Sequence, residues 1–278
     1  MEIKKWNIWL LAPLMLIAVS CVTEKRLARE FVENPPENRF VVMSPNTVFR
    51  ESLKPVQDTL FKNPSQRQLD SLAFLESKFV QYITDSMFID LYMPAFKEEM
   101  DSLGLNVIYN ELPQIFSDTA TSAYIFDIAQ VQLQEFSEIY YDKEAIMDHL
   151  YYQKHILDGV HLNVWAEFQK VNMPGQNPMV LFSEITRRDE IDGFFHQNQL
   201  SGEVKYSYKI NELEMDAVKN MITRAGYIHA SYFFDFLMNQ YISTMMMKNE
   251  AKPKYYLHYN REEDTFVPVY NNRFIRQE

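Results

Sequence analysis

The sequence predicts an α/β (α+β) fold, a mixed β-sheet packed by two long helices with a C-terminal β-hairpin. Helical spacing is the first reason. Leu69, Leu72, Leu75, Phe79, Ile83, Met87 and Leu91 recur at steps of three and four, as do Met215, Val218, Met221, Ala225, His229, Phe233, Leu237 and Tyr241. Between these stretches the period falls to two: Gln130, Gln132 and Gln134 alternate with Ala129, Val131 and Leu133, and Val204, Tyr206, Tyr208 and Ile210 alternate with polar residues. Composition is the third reason. The 278 residues are 47% hydrophobic and 23% charged, which excludes a disordered tail, a fibre and a coiled-coil rod.

Taken in order, Glu24 to Glu33 reads as a short amphipathic helix, stopped by Asn34-Pro35-Pro36. Arg39 to Met43 reads as a buried strand, and residues 44–67, with Pro45, Pro55 and Pro64, as a long loop. Gln68 to Leu103 is expected to form one long helix, kinked or split at Pro94 and ended by Gly104. Leu105 to Tyr109 then supplies the second strand of a βαβ unit. Further strands are expected at Ala123 to Phe136, His161 to Lys170, Met179 to Arg187 and Glu203 to Ile210. Asn172 to Pro178 reads as a turn, and the acidic stretch Tyr140 to Tyr152 as a helical surface insertion. The second long helix covers Leu213 to Met246, and Tyr255–Tyr259 with Thr265–Tyr270 forms the closing hairpin.

The N-terminus carries an address. Lys4 and Lys5 precede a mostly apolar run, Trp6 to Val19, too short for a span of about 20 residues, so residues 1–20 read as a signal peptide. Ala18-Val19-Ser20-Cys21 resembles the bacterial lipobox, with Ala18 where that pattern prefers leucine. The resemblance implies lipidation of Cys21, the only cysteine, with acyl chains such as palmitate holding the mature chain on a bilayer. Val22 stands where lipoproteins kept at the inner membrane often carry Asp, so an outer-membrane, periplasm-facing location is expected. The mature chain divides into an α/β domain over 21–247 and a C-terminal extension with the hairpin over 248–278.

Chemistry-bearing motifs are sparse. The six glycines are never closer than nine residues apart, which excludes phosphate-cradling loops and the nucleophile elbow of serine hydrolases. No metal or cofactor site is predicted: His149, His155 and His161 fall on different elements, and His229 sits on the buried side of a helix. Asp127, among Ile125, Phe126 and Ile128, is the one carboxylate whose setting would raise its pKa. Glu184, Asp189, Glu190 and Asp192 around Arg187-Arg188 read as a solvated turn. Trp165, Tyr206 and Tyr208 lie on strands and are candidates for a ligand-binding face, and Met245-Met246-Met247 for an adaptable contact patch. A net charge of −11 makes nucleic acid a poor partner.

The order of elements is similar to that of a group of periplasmic lipoproteins: the curli-secretion lipoprotein, the lipoprotein activators of peptidoglycan synthases and the N-terminal domain of the Tol-system propeller protein. The matching pieces are Phe40–Asn46, the helix ending at Gly104, Leu105–Tyr109, Ala123–Phe136 and Ala225 to Ile242. Phe31-Val32-Glu33-Asn34-Pro35-Pro36 and Asp235 to Ile242 also resemble envelope lipoproteins of Bacteroidota-type bacteria. A likeness of fold transfers no activity. Three functions therefore stand open: a non-enzymatic binding or assembly factor with an envelope protein partner, a glycan- or peptidoglycan-binding module, and an enzyme using Asp127.

Overall fold

The computed structural model describes residues 23–35, 39–55, 65–105, 107–110, 123–171, 177–248 and 251–277. Cys21, the segment before it and most of the 172–178 turn lie outside the described residues.

A first helix, α1 (residues 23–33), is followed by β1 (Arg39–Met43) and β2 (Val48–Ser52). Then come α2 (Gln66–Leu75), α3 (Asp85–Ser102) and β3 (Val107–Tyr109). Two very long strands follow, β4 (Ala123–Ile146) and β5 (His149–Lys170), and then β6 (Met179–Arg188). β7 (Glu190–Gln197) and β8 (Val204–Asn211) form a separate hairpin. The chain closes with α4 (Met215–Met247), β9 (Leu257–Asn260), β10 (Thr265–Pro268) and β11 (Ile275–Gln277).

The main sheet is mixed. Its order is β11-β6-β5-β4-β1-β3, and β2 follows β1 along the same edge of β4. The β1–β3 pair is parallel, Phe40 opposite Val107, as the βαβ reading requires, whereas β4, β5 and β6 are antiparallel. Between Asp127 and Gln130 the register slips against β5, so the residues of β4 that face the core change from even to odd numbers. Phe126 faces inward before the slip and Val131 and Leu133 after it, all fully buried.

α3 and α4 cover the inner face. Phe126 packs on Phe233 with ring centres 4.0 Å apart and lies 6.1 Å from Phe96. At Gly226 a Cβ would stand 2.3 Å from the Tyr92 carbonyl oxygen, so only glycine lets α4 approach α3 this closely. The β9–β10 hairpin is tied to α4 by side chains. Asn239 exchanges two hydrogen bonds with the Leu257 backbone, and Asp235 accepts from the Tyr259 amide at 2.9 Å and His258 Nδ1 at 2.6 Å. That bond to a buried carboxylate holds His258 above its ordinary pKa.

Five expectations are corrected. His149, His155 and His161, expected on different elements, all lie on β5. The helix expected over 68–103 is two helices. It breaks at 76–84, where the backbone amides of Lys78, Phe79 and Val80 turn onto the Glu135 carboxylate at 2.8, 2.8 and 3.3 Å, while Pro94 sits inside α3 without splitting it. The 44–67 loop contains β2, held by pairing with β4. Tyr140 to Tyr152 is no helix; β4 runs through it to a two-residue turn at Met147-Asp148, and β5 returns. Of the four acids expected in a solvated turn, Glu184 lies in β6, Glu190 and Asp192 belong to β7, and Asp189 between the two strands is buried.

Candidate functional site

β2 leaves β4 at the Ser52–Glu135 pair and β6 leaves β5 at the Gly159–Arg188 pair, but β4 and β5 continue together from Ser137↔Asp158 to Ile146↔His149. At ~3.3 Å per residue this makes a two-stranded arm about 30 Å long. A bare hairpin of this kind is marginal in water, and the β7–β8 hairpin stabilises one of its faces. Tyr206 donates to Asp142 Oδ2 at 2.9 Å, the His155 ring lies between Tyr206 and Tyr208 at 5.5 and 4.7 Å, and Tyr151 packs on Phe195. Loss of solvent and the Asp142 carboxylate push the Tyr206 hydroxyl up to about 12. Gly193 makes room for this contact: a Cβ there would lie 2.0 Å from the Tyr206 oxygen.

The other face of the arm is uncovered by any described residue. Directly opposed residues of an antiparallel pair share a face, so Ile139 with Ile156, Tyr141 with Lys154, Lys143 with Tyr152 and Ala145 with Leu150 form one surface. Its large apolar members are all exposed: Ile139 55%, Tyr141 45%, Leu150 67%, Tyr152 67% and Ile156 64%. Lys143 and Lys154 are the only charged side chains on that face between Ile139 and Ile156, and neither forms an ion pair with a described residue. Met147, 80% exposed, and Leu200, 99% exposed, stand at the tips of the two hairpins.

A polar cluster marks where the arm leaves the body. Glu135 is fully buried and, besides its three backbone donors, receives Lys54 Nζ at 2.7 Å. Lys54 also reaches Asp158 at 2.6 Å, and Ser137 donates to the same carboxylate. Partial burial opposes the Asp158 charge, but the Lys54 and Ser137 bonds outweigh it and hold this carboxyl below the usual range. Asp189 accepts from the amides of Asp158 and Leu213, which fixes the starts of β7 and α4 to the root of the arm.

The residues singled out by sequence are scattered. Tyr206 and Tyr208 lie under the arm, whereas Trp165 lies on the outer face of the body beside Phe182. Trp165 lines an open groove of about 900 Å³ with Tyr124, Gln169, Asn177 and Arg276. The three do not make one ligand face. Asp127 stands opposite Glu167, and burial with that neighbouring charge raises its pKa as expected. His229 is wholly buried, bonded to the Tyr92 hydroxyl at 2.9 Å and to Ser183 Oγ at 3.1 Å, and burial lowers its pKa to about 3. With no solvent access, that chain of polar groups is structural. Met246 is buried and Met247 exposed, so the methionine run makes no continuous patch.

Among the described residues, no three His, Cys, Asp or Glu side chains gather to hold a metal, and no helix is long and apolar enough to cross a membrane. The chain matches no protein-family model and no curated protein.

Sequence reasoning missed Ile139, Tyr141, Leu150, Tyr152 and Ile156. Their signal was the doubled aromatics Tyr140-Tyr141 and Tyr151-Tyr152, which place one ring on each face of a strand.

Proposed function

We propose that this protein is a lipid-anchored lipoprotein of a bacterial outer membrane, facing the periplasm, which acts without catalysis as a binding or assembly factor for an envelope protein. Acylated Cys21 would hold it to the bilayer, and the uncovered face of the β4–β5 arm would be its contact surface. The observation that carries this reading is the run of large apolar side chains left in water on that face. Leaving each one unburied forgoes roughly 1 kcal/mol or more, and contiguous exposed apolar patches of this kind mark interaction sites.

The test is in-cell photo-crosslinking from position 152, paired with fatty-acid labelling. A stoichiometric crosslink to another envelope protein and loss of the acyl label in Cys21→Ala support the reading. A protein that never crosslinks from the arm, or a Cys21→Ala variant that stays labelled, removes it. A glycan- or peptidoglycan-binding function is the second reading, favoured by Trp165 in a groove with Gln169, Asn177 and Arg276. Retention on peptidoglycan that is lost in Trp165→Ala would move the function there.

A further inference from the structure

The chemistry of the uncovered face narrows what covers it. Three occupants compete: the bilayer, a second copy of this chain and a different protein. The arm has two open edges, because beyond Glu135 and Gly159 no described strand pairs with the outer sides of β4 and β5. Carrying those unpaired amides and carbonyls into hydrocarbon costs several kcal/mol per group, so burial in lipid is opposed along both edges. A second copy laid face to face adds two more lysines to Lys143 and Lys154, with no acid on that face between Ile139 and Ile156 to separate them, and like charges across paired strands destabilise.

We infer that the face takes an extended segment of a partner protein in which apolar and acidic residues share one side of the strand, added along the β5 edge that β6 leaves open after Arg188. The β5 edge presents Leu150, Tyr152, Lys154 and Ile156 at two-residue spacing, three of them large apolar groups, whereas β4 offers Ile139, Tyr141, Lys143 and the small Ala145. A strand added there continues the line of β6, closes the open backbone edge and sets its own alternate side chains beside those four. Its apolar residues cover Leu150, Tyr152 and Ile156, and its carboxylates answer Lys154 and, across the face, Lys143. This inference rests on the arm being the contact surface proposed above.

The probe is a synthetic peptide of about ten residues, the length of a long strand, with valine and glutamate sharing one side and threonine the other. A second peptide has lysine in place of glutamate. Binding of each to the full-length protein in detergent is followed by fluorescence anisotropy, for the wild type and for K143E/K154E. Both lysines are exposed, so the double variant is expected to keep its circular dichroism spectrum. The expected result is saturable binding of the acidic peptide, weakened about tenfold or more by the reversal, and a gain for the basic peptide. No binding of the acidic peptide, or equal binding by both proteins, overturns the inference.

The crosslinker at position 152, placed in both backgrounds in cells, separates this failure from that of the parent reading. A protein crosslink unchanged by the charge reversal leaves the arm as a contact surface and discards the acidic partner. A crosslink only to a second copy, or only to lipid, discards both.

Discussion

The same face of the same two strands lives in two environments. In the body, Val131, Leu133, Leu162 and Val164 are fully buried beneath α3 and α4; in the arm, Ile139, Tyr141, Tyr152 and Ile156 on that face stand about half exposed or more. The strands do not change and large apolar side chains continue along them, now beside Lys143 and Lys154; what ends is the cover. The boundary is chemical. Glu135, carrying a charge where the core pattern calls for an apolar residue, gathers the 78–80 amides and Lys54 and so closes the core at that level. The body therefore buries its apolar residues in its own core, whereas those on the open face of the arm stand in water.

The comparison breaks first if the body tolerates truncation. Phe126→Ala removes a fully buried ring stacked on Phe233 and is expected to lower unfolding free energy by about 3–5 kcal/mol in a urea titration. Glu135→Ala should come close to it, at about 3–5 kcal/mol, because Lys54 and three amides lose their acceptor in a buried site. Glu135→Gln, which keeps the shape and one acceptor oxygen, should cost less. If both Glu135 variants unfold like the wild type, the boundary lies elsewhere.

Acid should act on the body through His229. Its pKa is about 3 when folded against 6.5 when free, so the unfolded chain binds the proton first. The stability this group supplies is complete above pH 6.5 and is lost as the pH falls toward 3, amounting to about 3 kcal/mol between pH 7 and pH 4. His229→Gln is expected to be less stable at pH 7 and to show a shallower fall over that range. Parallel pH curves for the two proteins would mean that His229 is reached by solvent.

Much of the body was legible, because its helices and strands each bury one face and leave a period in the sequence. α4, β6, β8 and the β9–β10 hairpin all lie within a few residues of where periodicity placed them. The 76–84 break was not legible, since its cause, Glu135, stands more than fifty residues away, while Phe79 and Ile83 keep the helical stripe running through it as buried residues of a turn. The arm was hidden by a different effect. Tyr140 and Tyr151 serve the face under β7–β8 and Tyr141 and Tyr152 serve the open one, so apolar residues on both sides erase the alternation that would announce a strand. Its turn gives no sign either. Met147 takes a φ of 53°, a conformation usually left to glycine or asparagine. The candidate site was thus unreadable because large side chains on both faces of its strands leave no period-two alternation to read.

Tyr206→Phe probes the arm against its supporting hairpin. It deletes the bond to Asp142 and is expected to cost about 1 kcal/mol. Because that contact fastens only β7–β8 to the arm, hydrogen exchange should quicken in residues 139–156 while the β1, β4 and α4 amides of the body keep their protection. Uniform loss across both regions would mean that arm and body open as one unit.

The smallest effect on stability carries the sharpest version of the comparison. Ile156 and Tyr152 are 64% and 67% exposed, so replacing either with serine removes side chain that is mostly in water already. Unfolding midpoints should move by no more than about 0.5 kcal/mol, the range of ordinary surface changes. The same chemistry one step into the body, Leu162→Ser, should cost several kcal/mol, because it opens a cavity and buries a hydroxyl without a partner. If Ile156→Ser leaves the midpoint alone yet abolishes the crosslink from position 152, stability and function separate along a single pair of strands. A large drop in stability from either variant would instead mean that the open face is packed against the protein itself, and the reason for assigning it to a partner would be gone.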